Sequence, residues 1–208
     1  MKSLEKELNE NKLLVQKKQE EYIKKTAENQ NKWQETLTNF DIEENNLKEV
    51  VKNLPVVGVG DSIMLGAVNS LHNQFPNGYF DAAISRTDWE ANSVLQNLIN
   101  KGMLSDIIIF NLGTNGECPE SCKNEIFKTV DSRKLFWVNA TKPDYPIFNT
   151  NLKNMSETHD NIYIVDWISA SNNHPEYFVA DGIHLTKAGG KAYAKVIYDT
   201  IYNYYLDE

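Results

Sequence analysis

The sequence predicts an α/β fold: three layers, α/β/α, around a five-stranded parallel sheet, preceded by a helical extension. Three observations point there. Every glycine and proline of the 208-residue chain lies at or after Pro55. From Pro55 onward, short apolar runs alternate with segments whose apolar residues recur at helical spacing. The runs are apolar throughout rather than alternating with polar residues, the pattern of strands covered on both faces.

Residues 1–54 are rich in Lys, Glu, Asn and Gln. Apolar residues recur at Leu4, Leu8, Val15 and Tyr22, then at Trp33, Leu37, Phe40, Leu47, Val51 and Leu54, in helical steps. Asn11, Lys18, Lys25 and Asn29 interrupt the seam, which makes a weak coiled coil at best. The preferred reading is a solvated helical spacer whose last turns pack on the main domain. Residues 56–60 then predict a buried strand, 63–75 a helix ending before Pro76, and 78–84 a second strand. Residues 87–101 predict a helix stopping at Gly102, and 106–113 the strongest strand of the chain. A helix near 121–131, a strand at 134–139, a helix near 146–158, a strand at 161–166 and a final helix over about 186–205 complete the pattern. The expected division is a linker, 1–54, and a globular domain, 55–208.

The formal charge of −8 argues against nucleic acid as a partner, because phosphate contacts need clustered Lys and Arg. It argues equally against an anionic membrane surface. No apolar stretch approaches the roughly 20 residues of a membrane span, and the charged N-terminus lacks the apolar core of a signal peptide. The chain therefore reads as cytosolic or as a piece of something larger. Cys118 and Cys122 are its two cysteines. They can close a small disulfide, which requires an oxidising compartment. A metal site would need further ligands, and no second cysteine pair or paired histidines supply them. The state of the pair stays open at this point.

In parallel sheets the ligand crevice lies beyond the carboxyl ends of the strands, and three connections there are unusual. Gly60-Asp61-Ser62 follows the first strand. Gly60 would let the chain bend sharply, and Ser62 would present a hydroxyl at the start of a helix, where anions are stabilised. Asp or Ser before a helix is also the ordinary way of capping one. Gly113-Thr114-Asn115-Gly116 follows the strongest strand, and a neutral Asn amide can stabilise an oxyanion. Asn-Gly is equally a turn signal. Asp181 and His184 stand three residues apart before the last helix, a spacing that can aim a carboxylate at an imidazole, as a general base requires. His72, His159 and His174 have no such partner and read as structural or surface groups. Each signal alone is weak. Together they supply a nucleophile, an oxyanion donor and an oriented base at one sheet edge.

This constellation resembles the SGNH (GDSL-like) hydrolase superfamily over about Pro55 to Tyr205. The resemblance implies a flavodoxin-like sheet, with Ser62 as nucleophile, His184 as base and Asp181 as its partner. The oxyanion hole would be the backbone N–H of Ser62, the Asn115 amide and a backbone N–H from a second block. In that block Ser85 stands where the family usually has glycine, and Gly116 stands where many members have Asp. Both departures, with "GDSIMLGA", "DAAISR", "LGTNG", "WVN" and "DGIHLT", look like the extracytoplasmic domain of bacterial peptidoglycan O-acetyltransferases. By that resemblance the substrates are an acetyl donor and a muramoyl C6 hydroxyl of peptidoglycan, with no cofactor and no metal. Residues 1–54 become a tether to a membrane acyltransferase domain of the same full-length protein, on the extracellular face of a bacterial membrane. A Cys118–Cys122 disulfide would suit that location. A carbohydrate or lipid ester hydrolase on the same fold, and a non-catalytic cell-wall binding module, are the alternative readings. Asp61 reads as holding the turn. Trp137, Asn139 and Tyr145 could line an acceptor groove, but aromatic residues at a strand end read first as packing.

Overall fold

The computed structural model describes residues 2–38, 44–140 and 146–207, with side chains over 4–25, 47–140 and 147–207. Five strands form one parallel sheet: β1 (Val57–Gly60), β2 (Tyr79–Ala82), β3 (Ile107–Asn111), β4 (Lys134–Val138) and β5 (Ile162–Val165). Their spatial order is β2-β1-β3-β4-β5. This is the predicted flavodoxin-like arrangement, and every predicted strand is present. β3 is buried at all five positions, so it reads as an unbroken apolar run.

Eight α-helices are described: α1 (Lys2–Thr38), α2 (Glu44–Asn53), α3 (Ser62–Gln74), α4 (Ala91–Asn100), α5 (Glu120–Val130), α6 (Pro146–Thr158), α7 (Trp167–Ser171) and α8 (Lys187–Asp207). Right-handed crossovers in this strand order put α3 on one face and the helices between β2 and β5 on the other. α8 packs beside α3, and α4 beside α5, giving the three layers. No described helix is long and apolar enough to cross a membrane. Short α7 and the 3-10 turn Pro175–Tyr177 are additions to the expected elements, while the helix expected over 87–101 opens as the 3-10 turn Asp88–Glu90 before α4.

The N-terminal helix departs from the expected solvated spacer. Its last part behaves as read: Leu47, Val51 and Leu54 are buried, and α2 packs on α8. The first turns of α1 are docked as well, against α3 and β2. Leu8, Val15 and Tyr22 are buried there, each contributing about 1.5–3 kcal/mol as an upper estimate. Asn11, read as a gap in the seam, is buried and specific. Its amide donates to the Leu65 carbonyl at 2.8 Å, and its carbonyl accepts from the Asn69 amide at 2.7 Å. Trp33, Leu37 and Phe40 lie outside the described side chains.

The strand register sets the position of the site. Gly60, the last residue of β1, pairs with Ala82 of β2 and Asn111 of β3, so three strands end level. The connections leaving β1 and β3 run to opposite sides of the sheet, which opens a crevice between them. Gly60 is not the bend the sequence suggests: it is an extended strand residue outside the left-handed region. Its need for glycine comes from packing, since a Cβ there would sit 2.5 Å from the Met64 side chain.

Candidate active site

Asp61 and Ser62 divide two tasks that the sequence leaves undivided. Asp61 is the N-cap of α3, its Oδ1 accepting from the Ile63 N–H at 2.8 Å. Ser62 is therefore released from capping. As the first helical residue its own N–H has no intrahelical acceptor. Its Oγ lies 2.9 Å from His184 Nε2, across 122 residues of sequence.

His184 is oriented in turn by Asp181. The Asp181 Oδ2 lies 2.8 Å from His184 Nδ1, while Oδ1 accepts from the backbone N–H groups of Ile183 and His184 at 2.8 and 2.9 Å. Burial pulls the Asp181 carboxyl upward, but the His184 and backbone hydrogen bonds outweigh it and hold it below its ordinary value. An ionised carboxylate only accepts, so Nδ1 carries the imidazole proton and Nε2 is left to accept from the Ser62 hydroxyl.

Asn115 sits between Gly113 at φ +117° and Gly116 at φ +131°, conformations that glycine adopts without penalty. Gly113 also has no room for a side chain, since a Cβ would lie 2.4 Å from the Phe148 ring. The Asn115 amide donates to the Arg86 carbonyl at 3.1 Å and stands 3.5 Å from Asp61 Oδ2. Ser85, one residue before Arg86, has φ +60°. A serine thus holds the left-handed conformation that a glycine would supply, and its N–H makes no hydrogen bond among the described residues.

Arg86 and Asp88 carried no sequence signal beyond their nearness to Ser85. The Arg86 guanidinium bonds Asp81 Oδ1 at 2.7 Å and the Gly60 carbonyl at 3.3 Å, clamping the turn to the ends of β1 and β2. Asp88 is fully buried, and its Oδ2 accepts from the Cys118 N–H at 2.9 Å. Cys118 and Cys122 form a disulfide that closes the loop between Asn115 and α5. Asp61 is buried too, and burial pushes its carboxyl up to about 7 against the pull of the Ile63 N–H and His184.

The remaining candidates are structural. Trp137 is buried and donates to the Leu112 carbonyl at 3.0 Å. Asn139 bonds Asp166 and the Ile168 N–H. Tyr145 lies outside the described residues. His72 packs edge-on against Phe80, and burial lowers it to about 4. His159 bonds the Met155 carbonyl; His174, expected to lack a carboxylate partner, has one in Glu176 two residues on, at 2.7 Å on the surface and away from Ser62 in sequence. Among the described residues no cluster of three or more His, Cys, Asp or Glu could hold a metal.

A parallel β2-β1-β3-β4-β5 sheet with this Ser, Asn and Asp-x-x-His set at its carboxyl edge has the three-layer fold of the SGNH/GDSL-like hydrolases, and a GDSL-like lipase of Bacteroides thetaiotaomicron superposes on it with a TM-score of 0.53 at 16% identity, over 76% of this chain and 90% of that one. No protein-family model matches the chain. Individual relatives do. It is 32% identical over 162 residues to the O-acetyltransferase OatA of Staphylococcus aureus, covering 75% of this chain and 26% of that protein. It is 31% identical over 143 residues to the peptidoglycan O-acetyltransferase OatA of Listeria monocytogenes, covering 68% and 23%. The C-terminal catalytic domain of Streptococcus pneumoniae peptidoglycan O-acetyltransferase A superposes with a TM-score of 0.64 at 24% identity, over 74% of this chain and 96% of that one. The chain is thus similar in sequence to these O-acetyltransferases and in fold to the catalytic domain of one of them. It spans about a quarter of the length of those two relatives.

Proposed function

We propose that residues 55–208 form a serine-dependent O-acetyltransferase domain acting on peptidoglycan, with esterase side activity. The observation that supports this most is the hydrogen-bond chain from Ser62 Oγ through the His184 ring to Asp181. Ser62 Oγ attacks the carbonyl carbon of an acetyl donor while His184 Nε2 takes its proton. The oxyanion is received by the N–H groups of Ser62 and Ser85 and the Asn115 amide, which must turn from the Arg86 carbonyl toward it. His184 returns its proton to the departing donor, leaving acetyl-Ser62. The muramoyl C6 hydroxyl then gives its proton to His184 and attacks the acetyl group, and Ser62 is regenerated. These steps call for no metal or cofactor.

The acetyl donor is proposed to come from a membrane acyltransferase domain of the same full-length protein, with residues 1–54 leading from it to the catalytic domain. The Cys118–Cys122 disulfide supports an extracytoplasmic location, since such bonds persist in oxidising compartments. The exposure of the site favours the side activity. The His184 and Asp181 side chains are 27% and 42% exposed, so the base that would activate a water is itself open to solvent. The test is to supply an acetyl ester together with soluble peptidoglycan glycan oligomers and to count both products. Acetylated glycan supports the transferase. Free acetate alone would reduce the protein to an esterase. Hydrolysis undiminished in Ser62→Ala would overturn Ser62 as the nucleophile and, with it, the triad.

A further inference from the structure

Ile84, Trp89, Ile147 and Ile168 are large hydrophobic side chains left exposed, on the connections that follow β2, β4 and β5. All four therefore lie at the carboxyl edge of the sheet, the edge that carries Ser62 and Asn115. Single exposed apolar side chains are ordinary on protein surfaces, but Trp89 is set apart by its mounting. It is 60% exposed on the turn Asp88–Glu90. That turn is fixed on both sides of the indole. Asp88 is buried against the Cys118 N–H, and the Glu90 carboxylate accepts from the Thr87 N–H at 2.9 Å. The same loop touches the Asn115 amide through the Arg86 carbonyl. A large aromatic side chain thus stands in solvent on a turn whose backbone is pinned, three residues along the loop from the carbonyl that meets Asn115.

We infer that Trp89 is a stacking platform for sugar rings of the acceptor glycan, one strand away from the nucleophile; this rests on the acceptor proposed above. A pyranose ring presents an apolar C–H face and a hydroxyl-bearing edge, and an indole, with only two side-chain torsions to order, takes the first at low entropic cost. β2 adjoins β1, so the loop that carries Trp89 leaves the sheet from the strand next to the one that leads into Ser62. Four inter-strand gaps span on the order of 19 Å from β2 to β5, and Ile147 and Ile168 continue the apolar rim along that row. A row of this length with the nucleophile inside it suits a polymer lying across the strand ends. An anionic lipid surface is the poorer occupant, because the chain carries −8 and Trp89 is followed by Glu90.

The test measures binding and turnover separately. Calorimetry on the Ser62→Ala protein with a soluble peptidoglycan glycan oligomer gives the reference affinity. Adding Trp89→Ala should weaken it about ten-fold or more, and Trp89→Phe should restore most of it. In the Ser62 protein, Trp89→Ala should cut kcat/KM for glycan acetylation about ten-fold more than kcat/KM for a small acetyl ester, chiefly through KM. No measurable glycan binding by Ser62→Ala, unchanged affinity on removing Trp89, or equal losses on both substrates would overturn the platform. A Trp89-dependent affinity in a protein that releases only acetate would uphold the platform and refute the transferase.

Discussion

The buried carboxyl of Asp61 and the side-chain amide of Asn115 meet at 3.5 Å, joining the loops that leave β1 and β3. Asp61 thereby touches both halves of the proposed site, capping the helix that begins at Ser62 and bordering the oxyanion donor. Burial raises its carboxyl to about 7. The native state then holds a proton that the unfolded chain has lost from about pH 4 upward, so stability is full below the unfolded value and falls as pH rises through 7. Asp61→Asn keeps the capping oxygen and cannot ionise. Thermal melts from pH 4 to 8 should show the parent losing several degrees that the variant keeps. Parallel curves would show that Asp61 does not titrate in this range.

Asn115 is proposed to bind charge that exists only during reaction. Asn115→Ala should lower kcat on an acetyl ester by about 10²–10³-fold with little change in KM. A rise in KM at constant kcat would instead mark it as a binding residue. Its bond to the Arg86 carbonyl costs something on removal, so a melt of the variant separates loss of chemistry from loss of fold.

The Cys118–Cys122 bridge closes a short loop next to Asn115. Loop-closure entropy for so few residues is worth about 2 kcal/mol. A double Ala variant should melt several degrees lower and retain measurable ester hydrolysis, because Asp88 still holds residue 118 through its backbone N–H. Complete loss of activity in a folded variant would make the bridge part of the site rather than a brace.

Asn11 holds α1 to α3 through the Leu65 carbonyl and the Asn69 amide. Asn11→Ala removes two hydrogen bonds from the α1–α3 seam, each worth about 0.5–1.5 kcal/mol of stability. Ester hydrolysis per folded molecule should stay near the parent value. A collapse of kcat without a fall in Tm would mean that the docked helix shapes the site.

Asn11 also shows where sequence reading stops. The sheet and its site were legible because their signals are local: unbroken apolar runs for the strands, and small polar residues where each strand hands over to a helix. Ser62, Asn115, Asp181 and His184 were legible as a set through their common edge. What the sequence could not show are contacts whose partners lie far along the chain. A polar residue in a helical seam looks like a defect until Leu65 and Asn69, more than fifty positions away, are seen to need it. Gly60 looked like a bend because Met64 could not be seen packing on it. Arg86 and Asp88 drew no reading at all, because their partners Gly60 and Cys118 lie far from them along the chain.

The central claim is that Ser62 carries the acetyl group between donor and acceptor. Mass spectrometry of the protein quenched during turnover of an acetyl ester tests it directly. The account predicts one acetyl group on the peptide containing Ser62, absent in Ser62→Ala and accumulating in His184 variants only slowly. An active protein with no acyl adduct, or with the adduct on another residue, would contradict it.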